Sequence, residues 1–112
     1  MNVEQAVIQA LSAAGYDAYA DAPNPMPESF VTVERTGGGS RDMVDRPMLA
    51  VQCWAAGRKA AADMAEAVRA ELEGLEGTRG LGAVKVSSLY NWPDPSTRKA
   101  RYQLVVELAA HI

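Results

Sequence analysis

The 112-residue chain carries a formal net charge of −3 and one cysteine, which excludes an internal disulfide and a multi-cysteine zinc site and fits a reducing compartment. The acidic balance lacks the concentrated basic face that phosphate neutralisation needs, so nucleic acid is not expected as the principal partner. The apolar share is 48% but only 6% is aromatic. One domain over 1–112 is therefore expected, with a thin core of small side chains and stability helped by self-association.

In chain order, Asn2 and Gln5 form a capping pair, and Val3, Ala6, Val7, Ala10, Leu11 and Ala14 share one helical face before Gly15, predicting a helix over 2–14. The chain thus opens on a capped amphipathic helix, with neither a secretory leader nor a membrane-spanning run, so a soluble product made in the cytoplasm is expected. Residues 16–20 predict a short edge strand, and Pro23, Pro25 and Pro27 a stiff connector. The next stretch, 30–54, reads as two strands around a glycine-rich charged loop. Phe30 to Val33 are β-formers, and Leu49, Val51 and Cys53 alternate with Met48, Ala50, Gln52 and Trp54. The loop holds Gly37, Gly38, Gly39, Arg41, Asp42, Asp45 and Arg46, and is expected to project and stay mobile until a partner orders it.

Ala61, Met64, Ala65, Val68 and Leu72 form the stripe of a second helix over 59–73, followed by a loop punctuated by Gly74, Gly77, Gly80 and Gly82. Strands are predicted over 84–89 and 100–109, separated by a turn at 91–98 whose two prolines cannot continue a strand. The order predicts an α+β fold: one mainly antiparallel sheet of four to five strands with two helices packed on one face. Trp54 lies on the parity opposite to Leu49, Val51 and Cys53, so it is expected on the uncovered face, exposed and ready for a neighbouring subunit.

Candidate chemistry is sparse. His111, the only histidine, is expected to be a solvated tail residue, and Cys53 a buried core thiol. The triple glycine has no following lysine in Walker spacing and no helix after it, so it is not a phosphate cradle. Asp42, Asp45 and Asp63 match no cation-binding loop. No catalytic residue, metal or cofactor is expected, and a small enzyme is disfavoured. The mixed charges of Arg35, Arg41, Arg46, Glu34, Asp42 and Asp45, together with Trp54, Trp92 and Tyr90, suit an interface between copies or with a partner ring.

Four segments in order resemble the tail terminator proteins of long-tailed bacteriophages and their prophages: Val33-Glu34-Arg35-Thr36-Gly37-Gly38, Val44-Asp45-Arg46-Pro47, Val51-Gln52-Cys53-Trp54-Ala55, and Pro93-Asp94-Pro95 with Arg101-Tyr102. The resemblance implies a structural, non-enzymatic protein of the virion tail or neck, made in the bacterial host cytoplasm. It would form a homo-hexameric ring that caps the head-proximal end of the tail tube and stops its elongation. Its partners would be itself, the major tail tube protein and a head-completion or connector protein. No membrane is implied, and nucleic acid enters only as DNA passing through the ring lumen. The candidate interface residues are Arg35, Gly37, Gly38, Gly39, Arg41, Asp45, Arg46, Trp54, Trp92 and Asp94. The alternatives are a head-tail connector or neck protein, and a small dimeric α+β ligand-binding or regulatory module.

Overall fold

The computed structural model describes residues 1–111. Helix α1 (Val3–Ala13) is followed by β1 (Ala18–Tyr19), β2 (Phe30–Gly37), β3 (Ser40–Arg41), β4 (Val44–Asp45), β5 (Met48–Ala55), α2 (Arg58–Glu73), β6 (Leu81–Asn91) and β7 (Ala100–His111). All seven strands belong to one sheet, in the order β1-β2-β5-β7 with β6 on the far side of β7 and β4-β3 continuing from the end of β7. Every pairing is antiparallel except β1 with β2. The fold is α+β, with more strands than the four to five the sequence pattern predicts.

Local chemistry accounts for the helices. The Asn2 side chain accepts from the Gln5 N–H at 3.2 Å, satisfying one orphan donor of the first turn. Gly15 leaves α1 at φ +101°, a conformation costly for any residue with a Cβ. Helix α2 has no side-chain N-cap and depends on its alanine-rich interior, on exposed Lys59–Asp63 and Arg69–Glu73 pairs, and above all on burial.

Both helices lie against one face of the sheet. Val3, Val7 and Leu11 of α1 and Ala65, Val68 and Leu72 of α2 share one core with Val31, Val33, Leu49, Val51, Cys53, Leu104, Val106 and Leu108. The cross-strand register explains this sorting. Val31 faces Cys53, which faces Tyr102, and Val33 faces Val51, which faces Leu104, so one parity of each strand forms a continuous apolar surface. The other parity faces away from the helices.

Three expectations change. The strand expected at 84–89 runs from Leu81 to Asn91, and the last strand reaches His111, because β6 and β7 form a long two-stranded ribbon with bulges near Gly82 and Ser87. His111 is exposed but belongs to a strand, opposite Val44. The glycine-rich loop is not a free projection: it continues the β2–β5 hairpin as β3–β4, and β4 pairs with the end of β7.

Candidate functional site

The uncovered face of the sheet is built from Phe30, Thr32, Glu34, Met48, Ala50, Gln52, Trp54, Lys85, Tyr90, Arg101, Gln103, Val105 and Glu107. Trp54 does point away from the helices, but it is buried, with 5% of its surface exposed. Its ring stacks on Phe30 at 5.1 Å, and Tyr19 meets Phe30 edge-on. The Arg101 guanidinium covers its outer side, 4.8 Å from the Trp54 ring and 4.5 Å from the Trp92 ring. This sandwich shields Trp54 from water and fixes Arg101 through two cation–π contacts. The Arg101 Nε also donates to the Trp92 carbonyl at 2.8 Å. The expectation of an exposed Trp54 therefore fails, because its neighbours on the same face fold over it.

A chain of side-chain hydrogen bonds crosses the four long strands. Trp54 Nε1 donates to Thr32 Oγ1 at 3.1 Å, and the Thr32 hydroxyl donates to Gln52 Oε1 at 3.0 Å. Gln52 Nε2 then donates to Gln103 Oε1 at 2.9 Å, and Gln103 Nε2 donates to the Tyr90 hydroxyl. The bonds run head to tail, each of Thr32, Gln52 and Gln103 accepting from the residue before it and donating to the residue after it, so each bond polarises the next. The row ends on Tyr90, which is 41% exposed beside Trp92 at 46%.

On the helix-side parity of the strands, past the end of the core, the hairpin is held by one ion pair: Arg35 lies opposite Leu49 and Asp45 opposite Ala110. Arg35 meets Asp45 in a two-pronged contact at 2.7 and 2.9 Å, and its guanidinium also donates to the carbonyls of Gly37 and Gly38 at 3.1 Å. The hydrogen bond from Arg35 holds the Asp45 carboxyl below the usual carboxylate range. A Cβ on Gly38 would lie 2.0 Å from the Arg46 carbonyl oxygen, and its φ is +91°, so no other residue fits there without movement. Gly39 has open space around the same position. The hairpin turns through Asp42 at φ 53° and Met43 at φ 64°, the twin left-handed residues of a type I′ turn. Met43 at its tip is 69% exposed. Arg41 sits on β3 with only an exposed contact to Asp42 at 3.7 Å. Arg46 lines an open cavity of about 190 Å³ together with Ala83, Lys85, Glu107, Leu108 and Ala109.

The expected interface residues thus fall into two groups at opposite ends of the sheet. Arg35, Gly37, Gly38, Gly39, Arg41, Asp45 and Arg46 lie on the hairpin, while Trp54 and Trp92 lie at the opposite end with Arg101. Asp94 is occupied within its own turn, accepting from the Thr97 hydroxyl at 2.6 Å and from the Ser96 N–H at 3.3 Å. The Thr97 bond holds its carboxyl below the usual range. Burial pushes the Cys53 thiol up to about 12, which leaves it protonated and a poor nucleophile. Sequence reasoning overlooked Thr32, Gln52, Gln103 and Arg101. Their signal was present: each is a polar residue on the parity of Trp54.

Among the described residues no helix is long and apolar enough to cross a membrane, and no cluster of three or more histidine, cysteine or carboxylate side chains could hold a metal ion. No family model matches the sequence, and no curated protein matches it significantly.

Proposed function

We propose that this chain is a structural assembly protein of the tail-terminator type, a non-catalytic subunit of a hexameric ring that ends a tail tube and joins it to a head connector. The observation that supports this reading is where the large exposed hydrophobic side chains lie. Apart from Met1, among the described residues these are Met43, Met48, Tyr90 and Trp92, on the helix-free face, at the hairpin tip, or at the end of β6. Large exposed apolar side chains on a helix-free face and at its rim are what contact with other subunits uses. Docking on the major tail tube protein falls to the hairpin, and the helix-free face meets the neighbouring copy. DNA passes only through the lumen.

The test is tail-tube assembly watched by electron microscopy, with the wild-type chain and with Met43→Gly combined with Trp92→Ala. Wild type forms closed rings and tubes of defined length. The double variant stays folded but yields overlong tubes that do not join heads. Defined-length, head-competent tails from the double variant would remove these side chains from the mechanism.

One feature favours a second reading as a ligand-binding module: two cations, Arg46 and Lys85, line the open cavity beside Glu107. Titration with inorganic phosphate, followed by amide shifts at Ala83 and Ala109, distinguishes the two, since a purely structural rim leaves those shifts unchanged.

A further inference from the structure

Two edge amides of the sheet are closed by glutamates. On β2, whose outer side is covered by β1 only opposite Val31 and Thr32, Glu4 of α1 accepts from the Arg35 N–H at 2.7 Å. On β6, Glu76 from the turn after α2 accepts from the Val84 N–H at 3.1 Å. A side chain seated on an edge amide prevents a foreign strand from adding there. The rest of β6 has no such stopper: among the described residues, nothing bonds to its outward backbone groups from Val86 to Asn91.

Backbone alternation identifies those groups. The Trp92 N–H donates inward to the Arg101 carbonyl at 2.8 Å, so Ser88 and Tyr90 also bond toward β7 and the N–H groups of Leu89 and Asn91 point out. The bulge between Val86 and Ser88 makes this outward set differ from that near Val84. Val86-Ser87-Ser88-Leu89-Tyr90-Asn91-Trp92 contains no charged residue. It therefore lacks two common protections of an edge, a charged side chain and a capped amide, and its one bulge lies at the start of the segment, between Val86 and Ser88.

We propose that the outer edge of β6 from Ser87 to Asn91 pairs antiparallel with the same edge of a second copy, about a two-fold axis at Leu89. A two-fold contact requires a self-complementary surface. An uncharged strand meets that requirement, because no like charges come into opposition. Centring on Leu89 sets Ser87 opposite Asn91 and Ser88 opposite Tyr90. It also brings Lys85 of each copy to the turn that carries Asp94 of the other, an attractive pair at both ends of the strand. The two sheets become one, with the Tyr90 and Trp92 side chains of both copies at the seam. Such a contact closes as a dimer and does not propagate around a ring, so the inference does not rest on the assembly reading.

Sedimentation velocity over a concentration series, with amide hydrogen exchange on the same samples, tests it. The wild-type chain dimerises, and the Leu89 and Asn91 amides exchange more slowly as the dimer fills while the Val84 amide does not change. Asn91→Pro removes an outward donor without breaking the ladder to β7, and Ser88→Lys adds the missing edge charge. Each weakens dimerisation about tenfold or more, and Ser88→Lys carries the test if the proline variant fails to fold. A chain monomeric at every concentration overturns the proposal, as does a dimer that neither variant weakens. Larger species in which the Leu89 and Asn91 amides stay unprotected also overturn it, while leaving the ring reading in place.

Discussion

The two faces of this sheet are made by the same strands, one residue out of step, yet they are held by different forces. Beneath the helices, Val31, Val51, Leu104 and their neighbours are stabilised by removal from water, a non-directional effect that tolerates many aliphatic combinations. On the other face Thr32, Gln52 and Gln103 are polar groups that the sheet itself largely shields, and each is satisfied by the next. The first kind of surface needs volume, and the second needs geometry. That difference leaves the polar groups of the uncovered face already satisfied by one another.

The largest expected effect is on the covered face. Leu72 is fully buried, and Leu72→Ala should cost about 2–5 kcal/mol in chemical denaturation; a loss under about 0.5 kcal/mol would mean that the helix does not anchor the core. On the hairpin, Gly38→Ala should cost about 1–3 kcal/mol through the forced shift against the Arg46 carbonyl. Gly39→Ala, one residue on, should stay within about 0.5 kcal/mol. Equal effects at the two glycines would contradict the close approach.

The uncovered face is probed by Gln103→Leu, which strands the Gln52 amide and should cost about 1–3 kcal/mol. Adding Gln52→Leu should cost less than a second such loss, since the pair removes both partners of one bond; simple additivity in urea titrations would argue against a connected row.

A smaller effect comes from pH. Asp45 is held below its ordinary value of 3.8 by the hydrogen bond from Arg35, so its folded-state pKa is depressed. Its contribution is whole above the ordinary value and is lost as the pH falls below it, through the depressed one. Amide shifts of Gly38 and Met43 should report the hairpin loosening in that window, and Asp45→Asn should abolish the transition. Smallest of all, Met43→Gly should leave stability unchanged or slightly higher, because glycine accepts φ 64° without cost.

Periodicity alone determined much of this chain. The stripe of Ala61, Ala65, Val68 and Leu72 and the alternation through Leu49, Val51 and Cys53 identify helix and strand because burial repeats with the geometry of each element. The inward position of Cys53 and the outward direction of Trp54 follow from the same parity. What parity cannot express is contact between residues far apart in sequence. Arg101 comes to lie between Trp54 and Trp92 only because β5, β6 and β7 align in one register, which turns an apparently exposed tryptophan into a buried one. The glycine-rich segment carries local signals of mobility, yet the tertiary structure orders it through Arg35 and Asp45 and through the end of β7 opposite Val44. The glutamates on the sheet edges are equally invisible along the chain: Glu4 reaches Arg35 across 31 positions, a distance at which only the folded backbone decides which amides remain open.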